Sequence, residues 1–219
     1  MLSVGQTHAQ NSAGSADSAQ APLPKDIYPD SRNRLPLPKL ETPQPKARLA
    51  VGIEQPGVRS WDPTLAKLTG EASRKYDIGL NDQLLEIAVL VAAREKDCQY
   101  EWTQWEMFGR NPADPRHIEQ STIDIIKYNK PVAGLGEKDA AIIEFGRETF
   151  GRRKVSSETF AKVLGLFGRK GTVDLLELMA SYAGTAGQLT AIDEQLQPGQ
   201  KPLLPPHEVS VGARRIPGL

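Results

Sequence analysis

The sequence predicts an all-α fold: a single helical bundle of six to seven helices behind an extended, proline-rich N-terminal arm. Three observations carry this. Apolar residues recur at helical spacing from about residue 62 to residue 196. No stretch alternates apolar and polar residues for long enough, between turn pairs, to be a strand. Gly and Pro punctuate the periodic stretches at short intervals, so the connections are short, as in a bundle.

Composition bounds the rest. A chain of 219 residues with 39% hydrophobic content can bury one good core. Its 27 basic and 27 acidic residues cancel, which argues against a nucleic-acid surface or an anionic membrane as partner. No apolar run approaches the length of a spanning helix. The lone cysteine excludes an intramolecular disulfide and a cysteine-rich metal site. The expected compartment is the cytoplasm, or the periplasm if the true start lies upstream of a truncated leader.

The elements follow in chain order. Residues 1–20 are rich in Ser, Ala, Gln and Gly and read as a disordered leader. From Ala21 to about residue 58 the prolines deny backbone donors. Ile27, Tyr28, Leu35, Leu37 and Leu40 interrupt the polar stretch, so an arm lying on its own domain or on a neighbouring subunit is expected rather than a free linker. The domain is drawn over 59–200. Asp62-Pro63 caps a helix with Leu65, Ala66, Leu68 and Ala72. Asn81 caps a second, 81–96, which is apolar in nearly every direction and should be buried on most sides. A third, 98–109, places Cys98, Glu101, Trp102 and Trp105 on one face. Further helices are expected at 116–127, at 137–151, from Ser156 to Gly168, and from Val173 to about Leu196. In the last, Gly184 and Gly187 cost propensity and are expected to allow close helix packing. Residues 201–219 read as a C-terminal tail.

The pattern L-x-E-x-A-x-L-x-x-A over Leu84 to Ala93, followed by C-x-x-E-W from Cys98, resembles the carboxymuconolactone decarboxylase / alkylhydroperoxidase D family. In its peroxidase branch a Glu and eleven residues precede C-x-x-C-x-x-x-H. Glu86 and Cys98 match the Glu and the first Cys, while Glu101 and Trp105 stand where the second Cys and the His would be. Tyr100-Glu101-Trp102 is similar to the decarboxylase-like branch. Pro36 to Lys39, Gly134 to Lys138 and Leu166 to Gly168 extend the resemblance, which spans about 28–204. It implies the same all-helical fold and a homo-oligomer, commonly a trimer or hexamer.

Each candidate residue has a functional and a structural reading. Glu86 is either a proton carrier with a raised pKa beside the thiol or a member of a buried ion pair with Arg94, Arg147 or another arginine. A helix N-terminus would lower the pKa of Cys98 and Glu101 would raise it, so its reactivity stays open. Glu101 can move protons or hold a polar ligand, but cannot form a disulfide. Tyr100, Trp102 and Trp105 line a substrate pocket or, for the tryptophans, serve as ordinary core. His117 reads as a solvated histidine without a catalytic role; His8 and His207 lie in the tails. No metal and no cofactor is expected.

The expected function is acid–base chemistry of the lyase or isomerase type on a small carboxylate, lactone or aromatic-derived molecule. Glu86 and Glu101 would exchange the protons, with Cys98 assisting. One alternative is a one-cysteine hydroperoxide reductase resolved by an outside thiol; dithiol peroxidase turnover is disfavoured, because the sequence holds no second cysteine. Another is a non-catalytic oligomeric binding or scaffold protein.

Overall fold

The computed structural model describes residues 22–37, 80–152 and 154–206. Among these are five α-helices and no strand. The helix expected at 62–72 and the arm beyond residue 37 lie outside the described residues.

The bundle is built around α1 (Asp82–Glu95), in which ten residues are buried. Asn81 caps it, its side-chain oxygen accepting from the Leu84 amide at 2.9 Å. Because apolar residues face every direction, α1 can be surrounded, and it packs against all four other helices. Asp97 turns the chain in the left-handed region, with φ 49°, and the Cys98 amide closes back onto the Ala93 carbonyl at 3.0 Å. Aspartate tolerates that conformation better than most side chains. The chain then reverses into α2 (Gln99–Gly109).

The next helix starts later than the periodicity suggests: α3 is Gln120–Lys127, not 116–127. The Asp114 carboxylate takes the Arg116 backbone amide at 2.9 Å and the Arg116 guanidinium at 2.7 Å, which holds 114–117 as a turn. α4 (Glu137–Gly151) follows as expected. Gly146 permits its close approach to the core, because a Cβ there would stand 2.4 Å from Val91 Cγ1 and 2.3 Å from Met179 Cε.

α5 (Ser157–Ala191) is capped by Ser156 and broken at Gly168, where φ 68° and ψ 179° leave helical space. The expected pair of helices is therefore present as two segments of this stretch that meet at Gly168. It ends at Ala191 rather than near Leu196, because Asp193 turns left-handed (φ 52°) and the Glu194 amide returns to the Leu189 carbonyl. Gly184 and Gly187, expected to allow close packing, meet nothing within 4 Å among the described residues. They lie on the exposed side of α5 with Val173, Leu176 and Ala180.

The described part of the arm, 22–37, is held on its own domain. Arg32 donates twice to the Leu196 carbonyl, at 2.6 and 3.0 Å, and the Arg34 amide reaches the Ile192 carbonyl at 2.8 Å. The folded unit also extends past residue 200. Leu204 is buried and Arg94 donates to the Pro205 carbonyl at 2.8 Å, so 203–205 lies on α1 and α2 instead of beginning a tail.

Candidate functional site

Glu86 sits in the second turn of α1 with none of its surface exposed, and neither carboxyl oxygen has a hydrogen-bond partner among the described residues. Of the arginines considered for it, Arg94 and Arg147 are engaged elsewhere. Arg94 serves Pro205 and Asp97, and Arg147 donates to the Lys130 and Ile125 carbonyls. Burial pushes the carboxyl up to about 9; Arg116 and the Gly109 amide pull against this, while Asp114 adds to it. The Gly109 amide lies on the carboxyl's side without making a bond of normal geometry. At neutral pH Glu86 is therefore a neutral acid carrying its proton. It lies against Gly109, the last residue of α2, where a Cβ would stand 3.3 Å from Glu86 Oε1.

Glu101 is buried in the same way, with both oxygens unpartnered, and burial holds its carboxyl well above the usual range. Cys98 is buried at the N-cap of α2, and burial pushes its thiol up to about 11, against the pull of the Glu101 backbone amide. Burial thus decides the balance that the sequence leaves open. Tyr100 is buried and pushed up to about 12 by burial, with Glu194 adding to it.

Glu86 is not beside the thiol. Cys98 is bonded to Ala93 near the end of α1, whereas Glu86 meets Gly109 at the other end of the α1–α2 hairpin. Glu101 and Gly109 are separated by eight residues, about 12 Å along the helix. The fold brings Cys98, Glu101 and Tyr100 to one end and leaves Glu86 at the other.

Trp102 and Trp105 are fully buried and take the core role. Trp105 meets Phe108 and Tyr182 edge-on, at centroid distances of 5.9 and 5.1 Å. Trp102 donates through Nε1 to Glu106, a residue the sequence reading passed over. Glu106 also binds Lys127 Nζ at 2.5 Å and Arg110 at 2.5 Å, so this buried carboxylate ties α2 to α3. The i,i+4 spacing of Trp102, Glu106 and Arg110 was the available signal; Lys127 is legible only in three dimensions.

The structure also revises His117. It is half-buried, and its Nδ1 lies 2.8 Å from the Gly109 carbonyl, which accepts the Ile118 amide as well. Its own carbonyl takes Gln83 Nε2 at 3.0 Å. Glu86 and His117 thus approach the same residue, Gly109. His117 lines a shallow depression of about 140 Å³ together with Gln83, Ile87, Ile118, Glu119, Thr122 and Asp139. Gln83 and Ile87 flank Glu86 on α1. Among the described residues no group of three or more His, Cys, Asp or Glu is placed to hold a metal ion. No described helix is long and apolar enough to cross a membrane.

No protein-family model matches the chain, and neither does a curated protein or a solved structure.

Proposed function

We propose that the protein is an acid–base enzyme of the lyase or isomerase type, similar to the carboxymuconolactone decarboxylases, acting on a small molecule and using Glu86 as the proton-carrying group. One observation carries this reading: Glu86 is a fully buried carboxyl without a hydrogen-bond partner among the described residues, kept protonated near neutral pH, and adjacent in α1 to residues that line a depression. Glu106, at the same depth, is instead paired with Lys127 and Arg110. In a decarboxylation, the bond to the departing carboxylate breaks, CO2 leaves, and the electron pair left on the substrate takes the Glu86 proton. In an isomerisation, the proton returned to the substrate is this one.

Glu101 and Cys98 belong to the other end of the hairpin and serve packing in this reading. A thiol at about 11 is ionised to about one part in ten thousand at pH 7, which disfavours the one-cysteine peroxidase. The exposed apolar side of α5, with Val173 57% accessible and Leu176 40%, favours a homo-oligomer, a trimer or hexamer, assembled through that helix. A non-catalytic scaffold would use the same face, but does not account for Glu86.

The test is turnover of carboxymuconolactone and a panel of small lactones, followed by ultraviolet absorbance, in the wild type and in Glu86→Gln. Loss of about 10²–10⁴-fold in the variant, with unchanged melting, is the expected result. Equal turnover in both proteins sinks the role of Glu86.

A further inference from the structure

We propose that the arm segment 22–37 is a pH-dependent clasp on the turn that follows α5, closed in mildly acid solution and released as pH rises, with Glu194 as the group that senses the proton. This goes beyond the acid–base reading above and does not depend on it.

The arm and the turn pair their backbones in both directions. The Arg34 amide donates to the Ile192 carbonyl at 2.8 Å, and the Gln195 amide donates to the Arg32 carbonyl at 3.0 Å. The Arg32 guanidinium holds the Leu196 carbonyl. Ile27, Ser31 and Asn33 are buried, Asn33 completely. The arm is folded on itself around Asn33. The Tyr28 amide donates to the Asn33 carbonyl at 2.9 Å, and Asn33 Oδ1 accepts from the Leu35 amide at 2.7 Å. Asn33 Nδ2 donates both to the Ser31 carbonyl at 3.1 Å and to Glu194 Oε2 at 2.9 Å. One side chain therefore ties the shape of the arm to the Glu194 carboxyl.

Glu194 is half-buried, and its Oε1 is buried without a hydrogen-bond partner among the described residues. An ionised carboxylate is costly in that position, because one of its oxygens has lost water and gained no donor. Burial raises the carboxyl to about 7, against the pull of Asn33 and of the Arg32 charge. The other groups around it keep their charge through neutrality. Tyr100, facing it from α2, is pushed up to about 12 and stays neutral. Arg32 stays cationic. Arg34 pairs with Asp26 at 2.7 Å and with Asp193 at 3.7 Å on the exposed edge.

The sign follows from what the arm covers. A released arm takes Asn33 away and returns Glu194 to water, toward its ordinary 4.5. The docked state then holds a proton that the released state has given up. Docking is strongest below about pH 4.5 and weakens as pH rises to about 7. Above that both states are ionised, and this group adds no further change. The carboxyl is partly accessible, so solvent screening reduces the effect to about tenfold in the docking equilibrium.

The experiment is amide hydrogen exchange of the full chain from about pH 5 to 8, corrected for the intrinsic exchange rate at each pH. The Arg34 and Gln195 amides report the clasp. The Cys98 amide, bonded to the Ala93 carbonyl, reports the domain. Protection of Arg34 and Gln195 should fall about tenfold relative to Cys98. It should stay level in Glu194→Gln, whose side chain keeps an oxygen for Asn33. A carbon-13 titration of the Glu194 side chain in the wild type examines the sensor without any variant, with a midpoint expected near 7. Constant or rising protection in the wild type overturns the proposal, and so does a fall that persists in Glu194→Gln. An equal fall at the Cys98 amide assigns the pH effect to the whole domain and overturns the clasp. A Glu194 midpoint below about 5 overturns the sensor, whatever the stability of the variant.

Discussion

Two kinds of buried carboxylate stand within one hairpin and its neighbour helix. Glu106 has no exposed surface and three partners: Trp102 Nε1, Lys127 and Arg110. Glu86 and Glu101 are as deeply buried, and their oxygens have no hydrogen-bond partner of normal geometry among the described residues. Burial opposes ionisation in every case. Where cations and a donor surround the group, as at Glu106, the carboxylate becomes a tie between α2 and α3. Where they do not, the group keeps its proton instead. The same residue type, on the same faces, thus gives a structural anchor in one place and a stored proton in the other.

The sharpest way to break this contrast is at Glu106. Glu106→Met leaves Lys127 buried without its counter-charge and should cost about 3–5 kcal/mol in urea unfolding. A loss under about 1 kcal/mol would mean that the cluster is not a tie. Joining Lys127→Met to it should recover most of the loss, because replacing both partners by apolar side chains of similar volume is close to neutral.

The pH dependence of stability separates the two classes next. The folded state raises Glu86 from 4.5 to about 9, so between those values the native protein holds a proton that the unfolded chain has released. Stability is then greatest below about pH 4.5 with respect to this group and falls as pH rises toward 9. Glu101 contributes with the same sign, its carboxyl being raised in the same way. Chemical denaturation from pH 5 to 9 should show the decline, and Glu86→Gln should flatten it. A wild-type protein that gains stability over that range would contradict a protonated Glu86.

Glu101→Met should behave oppositely to Glu106→Met. Removing an unpartnered buried polar group should raise stability by about 1–3 kcal/mol. A loss of similar size would place an unseen partner on Glu101. The smallest effect belongs to Gly109→Ala. Its methyl would stand 3.3 Å from Glu86 Oε1, so the carboxyl must shift by a few tenths of an ångström. Stability should change by less than about 1 kcal/mol, since the better helix propensity of alanine offsets the contact, while the carboxyl stretching frequency of Glu86 should move. An unmoved band would show that Glu86 does not rest against Gly109.

Much of the fold was legible in the chain. The Asn81 and Ser156 caps, the all-round apolar run of α1 and the break at Gly168 all depend on neighbours a few residues away. The misplaced start of α3 is also local in origin, since the Asp114–Arg116 turn competes with helix where hydrophobic spacing alone continues. The site was legible only in part. Periodicity placed Glu86, Cys98, Glu101 and the tryptophans in the interior, and that is where they lie. The sequence offered Glu86 either a place beside the thiol or an ion pair, left Glu106 unmarked, and assigned His117 to solvent.

What the sequence determined by itself is therefore which residues are helical and which face of each helix is buried, because these follow from 3.6-residue spacing and from caps within one turn. What only the tertiary structure decided is what stands opposite each buried group. Lys127 reaches Glu106 from 21 positions along the chain, and Arg32 reaches the Leu196 carbonyl from 164. His117 finds the Gly109 carbonyl only because the Asp114 turn folds the connection back on the end of α2. A buried carboxyl becomes an anchor or a proton store according to such distant partners, and local spacing carries no record of them.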